Sequence, residues 1–419
     1  MIFASEALFL SENEAVKLGL KQNINLKRDL INLDSTQEKV DNSWNQFLPD
    51  LSVSSGISRN EQFLSGSSNN DPWKLSISGG ASYSIGFDTF LDMDRDKMLL
   101  RSQELQYDIS EKNLELSIRK QFKYLLAFKE NLTLQEKNIT LAQKRYEQSQ
   151  INFKNGLISE LDLLKAQNSV ESLKPKYQDA DTGYKQQIMS FQSLLGLDLS
   201  QNIELEGSLD VVYYVLTPEI ILESFLSKRL DVHNSLINIE LLENQYEITK
   251  TKNLSPTISL RANWDNNINT LFDDAEWRDS TTISATLSMA LDGFIPGSSK
   301  NININNSQRA IEDSKLKLLN TKNDAEEEIR SILMKLEGAW ANIETTKLSV
   351  ILAQKTYEMT EKAFQRGSSE FLDVEDSQNK LLSTKQDLLL SKYNYLAGIL
   401  DLELALNADI SEILQIIKQ

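Results

Sequence analysis

Sliding the chain along itself by 211 residues lays Leu141-Ala142-Gln143-Lys144 on Leu352-Ala353-Gln354-Lys355, Tyr146-Glu147 on Tyr357-Glu358, Phe153 on Phe364 and Gly156 on Gly367. The same slide lays Leu161-Asp162 on Leu372-Asp373, Gln167-Asn168 on Gln378-Asn379, and Ile118-Arg119 on Ile329-Arg330. A slide of 206 or 207 brings Leu10-Ser11 onto Leu216-Thr217 and Leu48-Pro49 onto Ser255-Pro256. The chain is a tandem duplication of one module of about 200 residues, so whatever one half folds into, the other must be able to repeat.

Each module reads in the same order. The first repeat, 1–198, opens with a helical segment over 11–46, where Val16, Leu20 and Leu30 fall at helical spacing. It turns extended at Pro49, continues as two strands over 50–60 and 73–87, and ends in a helical hairpin over 93–197 broken at Gly156. A linker over 199–215 leads into the second repeat, 216–406. There the helix spans 217–252, the strands 257–265 and 281–291, and the hairpin 302–406 with its break at Gly367; a short helical tail occupies 407–419. Six prolines and fifteen glycines in 419 residues leave little to interrupt such elements. The first long run, at 1.5 Å per residue, is a rod of roughly 93 Å, and its apolar stripe (Ile118, Phe122, Leu125, Leu132, Ile139) lies on an otherwise charged surface, as a coiled-coil partner requires.

The strands alternate strictly. Over 73–87 the odd positions are Trp73, Leu75, Ile77, Gly79, Ala81, Tyr83, Ile85 and Phe87, and the even ones are Lys, Ser or Gly. Over 282–291, Ile283, Ala285, Leu287, Met289 and Leu291 alternate with Thr282, Ser284, Thr286 and Ser288. This pattern fits the half-buried strand of a soluble sheet and also an outer-membrane barrel strand with one face to lipid and one to a wet lumen. On the second reading Trp73, Leu75, Ile77, Tyr83, Ile283 and Leu287 face lipid, and Trp264 and Trp277 join Trp73 in an interfacial girdle. Four strands cannot close a barrel, and a membrane does not accept open edges. Closure must come from copies: a dimer supplies eight strands, a trimer twelve with room for a passage.

Composition removes other classes. There is no cysteine and a single histidine, His233, so thiolate chemistry and histidine metal clusters are out of reach. With 44 basic against 61 acidic residues the net charge is −17, which repels a phosphate backbone, and no nucleic acid is expected as partner. No window supplies the roughly 20 apolar residues of a membrane helix. An enzyme would have to run on carboxylates alone, so neither catalysis nor a cofactor is expected. Asp88, Asp92, Asp94 and Asp96 cluster after the second strand without the glycine and terminal glutamate of a calcium loop, and read as a polar junction between strands and helix.

Two segments carry a resemblance. Tyr146…Phe153-Lys154-Asn155-Gly156-Leu157…Leu161-Asp162-Leu163-Leu164…Gln167 and Tyr357…Phe364-Gln365-Arg366-Gly367-Ser368…Leu372-Asp373-Val374…Gln378 form an aromatic-glycine turn followed by an aspartate and a glutamine-bearing helix. With Leu48-Pro49-Asp50-Leu51 and Arg229-Leu230-Asp231-Val232, the chain resembles the TolC family of outer-membrane efflux proteins over nearly its whole length, although Ile24 and Leu230 stand where the family carries proline. The resemblance implies a mostly α fold with a membrane β-barrel. Its parts would be a homotrimer, a twelve-stranded barrel in outer-membrane lipid, a periplasmic α-barrel of antiparallel coiled-coil helices, and an equatorial collar. It also implies an exit duct for efflux or type I secretion that docks a periplasmic adaptor and an inner-membrane pump. The turns would then form the periplasmic tip, with Gly156, Leu157, Asp162, Gly367 and Ser368 at the adaptor contact. Asp373 and Asp376 would make an acidic gating ring whose mutual repulsion raises pKa values; the first repeat has Asp162 and Lys165 there. The other reading of the same residues is a soluble or surface-attached coiled-coil scaffold, which explains the helices but not the strands.

Overall fold

The computed structural model of the chain describes residues 8–59, 73–268, 276–366 and 368–417. Its elements follow in order as β1 (Leu8–Leu10), α1 (Glu12–Gln22), α2 (Ile24–Asp41), β2 (Asp50–Arg59), β3 (Trp73–Ile85), α3 (Asp88–Lys154), α4 (Glu160–Leu195) and β4 (Ile203–Leu205). Then come α5 (Pro218–Phe225), α6 (Leu230–Leu254), β5 (Thr257–Ile268), β6 (Trp277–Ser288), α7 (Ser299–Gln365), α8 (Phe371–Leu406) and α9 (Ile410–Ile417). Helices α3 and α7 are 67 residues each, α4 and α8 36 each, and both pairs start 211 residues apart.

The leading helices are each divided, where the sequence reads one continuous segment. Asn23 ends α1 and starts α2: its Oδ1 accepts the Leu26 N–H at 3.0 Å while its Nδ2 donates to the Leu194 carbonyl at 2.8 Å. Asparagine competes well for such a capping role, so no proline is needed at Ile24. In the second repeat the break falls at Arg229, with Asp231 Oδ1 accepting the Val232 N–H at 2.8 Å. Both hairpins end on a left-handed residue at the same repeat position, Gly196 at φ 74° and Asn407 at φ 50°, the residue types that reach this region at least cost.

Each repeat builds an equivalent core. Ile118, Phe122 and Leu125 pack with Phe191 and Leu195 in one; Ile329, Leu333 and Leu336 pack with Leu402 and Leu406 in the other. The repeats differ beside these cores. Parallel strands β1 and β4 pair in the first. In the second, the Tyr395 hydroxyl accepts from Tyr214 N at 3.3 Å and donates to Val212 O at 3.0 Å, doing what one residue of a parallel strand does, and α9 packs over the cluster through Ile413.

The chain divides into two compact units, and each draws on both repeats. One comprises Met1–Leu30, Gln106–His233 and Asn320–Gln419; the other, Ile31–Leu105 and Asn234–Leu319, holds the sheet. The sheet is antiparallel in the order β2-β3-β5-β6, so its central pair joins the repeats. Its strands shift from their expected limits. β3 stops at Ile85, β5 runs on to Ile268, and β6 lies at Trp277–Ser288 rather than 281–291, because its pairing with β5 extends from Thr257↔Ser288 to Ile268↔Trp277. Leu291 and Met289 fall past the strand.

Candidate functional site

Register decides what each sheet face carries, since directly paired residues point the same way. Leu51↔Ala81↔Ala262↔Ile283 form one row, Tyr83↔Leu260↔Ala285 another, and Ile85↔Ile258↔Leu287 a third. Trp73, Leu75, Ile77, Tyr83, Ile283 and Leu287 therefore share one face. The opposite face is hydroxyl-rich: Asp50↔Ser82↔Arg261↔Ser284 and Ser52↔Gly80↔Asn263↔Thr282, with Ser54 and Ser78 hydroxyls 2.7 Å apart. The apolar face has little over it: Leu51 is 78%, Val53 85%, Ile283 81% and Leu287 71% exposed. From Ile85 to Leu75, ten residues at ~3.4 Å and a ~40° tilt rise about 26 Å, close to the ~25 Å apolar band of an outer-membrane barrel. Asn266 and Asp279 interrupt that face towards the Trp277 end, and Arg59 lies 5.6 Å from the Trp73 ring. Trp264 and Trp277 lie on the same face.

At the other end of β3 the acidic cluster is neutralised. Arg95 reaches Asp92 at 2.6 Å and Asp96 at 3.3 Å, Lys252 reaches Asp88 at 3.6 Å and Asp92 at 3.4 Å, and Lys97 reaches Asp94 at 3.1 Å. These carboxylates hold the strand-to-helix junction. Among the described residues no cluster of His, Cys, Asp or Glu is arranged to hold a metal, and no helix is long and apolar enough to cross a membrane. His233 is exposed on α6. Trp340 packs against Tyr213 and Tyr395, with ring centroids at 4.9 and 5.3 Å, whereas Trp44 is 55% exposed.

The hairpin turns are built on capping. Gly156, at φ 74°, donates to Phe153 O at 2.9 Å, and Leu157, 70% exposed, donates to Asn152 O at 2.8 Å. Asp162 takes the Ser159 hydroxyl at 2.7 Å, and its own N–H donates to Ser159 Oγ at 3.2 Å. In the second repeat Gly367 lies outside the described residues, and Ser368 donates to Ala363 O at 2.9 Å. Asp373 Oδ2 accepts from the Ser369 hydroxyl at 2.8 Å and from Glu370 N at 3.1 Å. These donors, the hydroxyl first, hold its carboxyl below the usual range. Within one chain that direction is the reverse of the rise expected from repulsion, because a helix-capping carboxylate is stabilised in its charged form. Asp373 and Asp376 are both exposed, on the side of α8 opposite Val374 and Gln378. Phe364 lies edge-on to Phe371 at 6.2 Å, tied into its own hairpin.

Three features escape a reading by local pattern. Arg229 is buried, donating to both Asp231 oxygens at 3.0 and 2.8 Å and to Glu328 at 2.6 Å; it lines a cavity of about 440 Å³ whose charges are largely paired. Asn138 and Gln378 form a buried amide pair. The Arg145 Nε and Nη1 have no hydrogen-bond partner, and burial lowers its pKa. Asn138 and Arg145 stand seven apart on α3, a heptad signal visible in the sequence once polar residues are tracked as carefully as apolar ones.

The outer membrane efflux protein family matches residues 15–197 and again 221–408. No curated protein sequence matches the chain. In fold it is similar to the CusC channel at 15% identity, covering 96% of this chain and 94% of that one with a TM-score of 0.73. It is similar to the CmeC outer membrane channel of Campylobacter jejuni at 18% identity, 97% and 88% coverage and TM-score 0.74. VceC of Vibrio cholerae gives 16% identity, 95% and 96% coverage and TM-score 0.72. A duplicated match over most of the chain, on a sheet with one apolar and one hydroxyl-rich face, has one meaning: the chain belongs to the outer membrane efflux protein family, the outer-membrane exit ducts of efflux systems.

Proposed function

We propose that three copies join their four-stranded sheets into one twelve-stranded barrel, edge β2 of one copy pairing with edge β6 of the next. The observation that carries this is the sheet itself, with an apolar face, a polar face and two open edges. An open edge in hydrocarbon costs several kcal/mol for each unpaired backbone group, and a scaffold in water would leave Leu51, Val53, Ile283 and Leu287 uncovered. The duct is passive: a periplasmic adaptor seats on the hairpin turns and an inner-membrane pump drives transport. Leu157, Gly156, Asp162 and Ser368, with Gly367, form the adaptor contact, and the exposed Leu157 supplies its apolar anchor. Asp373 and Asp376, contributed three times, ring the narrow end and favour cations.

Light scattering in detergent tests the assembly. A trimer that aggregates when detergent is removed is the expected result; a monomer or dimer stable without detergent overturns the barrel. In planar bilayers, Asp373→Asn with Asp376→Asn lowers cation preference if the ring lines the narrow end, and unchanged selectivity removes the gating role. Leu157→Asp should abolish co-purification of the adaptor while leaving the trimer intact.

A further inference from the structure

The hydroxyl-rich face of the sheet holds a pocket of about 330 Å³, lying across the rows Asp50↔Ser82↔Arg261↔Ser284 and Ser84↔Ser259↔Thr286. Residues paired across strands project to the same side. The Asp50 carboxylate and the Arg261 guanidinium therefore stand over one floor of hydroxyls, with the strand of Ser82 between them. Both side chains are exposed, and among the described residues neither has an ion pair or a hydrogen-bonding partner. The carboxylates at the nearby strand-to-helix junction are different: Asp88, Asp92, Asp94 and Asp96 are all paired with lysine or arginine. On the floor, Ser84 and Ser259 bond each other at 3.3 Å. On the other side the next row closes the pocket, since a Cβ on Gly80 would meet Asn263 Oδ1 at 3.0 Å and Ser52 Oγ at 3.3 Å. Every lining residue belongs to one chain and to one of its compact units.

Spacing decides what such a pocket can hold. Neighbouring strands lie about 4.8 Å apart, so the backbones of Asp50 and Arg261, two strands apart, are separated by about 10 Å. With a charge-assisted hydrogen bond of about 2.8 Å at each end, a ligand that reaches both carries its own two charges about 4 Å apart. A ligand with one charge gains one contact and is repelled by the other residue. A zwitterion gains both, and the serines offer donors and acceptors to whatever lies between. The other charges of this face, Asp265, Arg278 and Lys74, stand four or more residues further along their strands, roughly 13 Å away, and complete neither partner.

We propose that this pocket binds a small zwitterion, an ammonium group at Asp50 and a carboxylate or phosphate at Arg261, and that molecules of this class are among the cargo of the duct. The binding residues come from a single chain; their place in an exit path rests on the three-copy reading above. In the closed barrel the pocket recurs three times on the lumen side, close to the strand ends that continue into α3 and α7. Its chemistry is the opposite of the Asp373 and Asp376 pair, which attracts cations and repels the anionic half of a zwitterion. Because Arg261 balances Asp50, the row holds a dipolar molecule without holding a simple salt ion, and its exposure to water keeps the contact weak enough to release what it binds.

Saturation-transfer NMR on the full chain held in detergent, with millimolar β-alanine as the probe, reads the contact directly. The β-alanine signal should exceed that of propionate or propylamine, which keep one charge each, by about fivefold, the upper end for one exposed ion pair. Arg261→Gln and Asp50→Asn should each bring β-alanine down to the level of those two. Asp50→Arg with Arg261→Asp, which exchanges the charges and keeps the dipole, should restore it. Equal signals from the three probes, or a β-alanine signal that survives both single substitutions, overturns the site. Reversal potentials in planar bilayers then test its place: Arg261→Gln should shift selectivity towards cations and Asp50→Asn towards anions, and no shift in either removes the pair from the passage. Light scattering on the same samples separates the two readings. A trimer without selective β-alanine contact overturns the site and leaves the duct standing, whereas selective contact in a particle that is not a trimer overturns the duct and with it the role in export.

Discussion

The helical hairpins and the four-stranded sheet come from the same duplicated module, yet they are held on opposite terms. Each hairpin completes a core inside one chain: Phe122 and Phe191 pack edge to face at 6.3 Å, and Ile118, Leu125 and Leu195 are fully buried beside them. The sheet completes nothing. Its backbone is paired internally, but Ile283 is 81% and Val53 85% exposed, and two edges are open. Burying a side chain of this size is worth about 1.5–3 kcal/mol. The buried face of each hairpin obtains that from its own chain, whereas on the three-copy reading the sheet obtains it from lipid and from other copies. One repeat therefore encodes a self-sufficient fold and an assembly-dependent one side by side.

Five substitutions probe the contrast. Leu287→Arg places a charge on the apolar face; at mid-depth that costs about 2–4 kcal/mol per copy, multiplied over three copies, so trimer in the outer-membrane fraction should vanish. Thr286→Arg, one residue earlier and facing the polar side, should assemble normally; equal loss in both would end the two-faced account. Phe122→Ala should lower the stability of the helical part by about 3–5 kcal/mol, read as a fall in the thermal midpoint of detergent-held protein, without changing membrane targeting. Gly196→Ala should cost more than Gly156→Ala. A Cβ at 196 would meet the Gln22 carbonyl oxygen at 2.5 Å, while nothing lies within 4 Å at 156; the second change then pays only the left-handed penalty of about 1–2 kcal/mol. Equal thermal shifts would mean that the α4 end is not packed against α1.

The smallest effect is a pH dependence. Burial raises the Glu403 carboxyl, and the Ile410 N–H at 2.8 Å offsets this only in part. A carboxyl whose folded pKa exceeds its unfolded value binds more protons in the folded state, so stability is greatest below the unfolded value near ~4.3 and declines as pH rises through the folded one. Glu403→Gln keeps the acceptor for Ile410 and should flatten that decline, measured as thermal midpoint against pH; an unchanged slope would assign it to other groups.

What could be read from the sequence follows the same divide. Strict alternation at Leu75, Ile77 and Tyr83 marks a two-faced strand directly, and Gly156 marks its turn. The start of β6 was hidden because Asp279 occupies a position on the apolar face, where alternation predicts an apolar residue. Asn23 and Arg229 break helices without glycine or proline, through side-chain hydrogen bonds that local composition does not announce. The neutralisation of Asp88 depends on Lys252, which only the fold brings near, whereas Asp92 also has Arg95 one helical turn away. The direction of the Asp373 shift depends on a cap formed by Ser369 and Glu370, a pattern legible in principle but easily read as a free acidic pair. The polar heptad on α3 was present in the letters and invisible to a search for apolar periodicity.

The open edges of β2 and β6 also set a clock. A newly made chain can finish its hairpins alone, at a rate that does not depend on how many others are nearby. On the three-copy reading its sheet waits for two encounters, so closure, insertion and assembly become one kinetic event. Diluting the chains should lengthen the wait steeply while leaving the early gain of helix untouched. During that wait the strands are the adhesive part of the molecule. A cell that makes this duct must escort them to the membrane faster than they find each other in water.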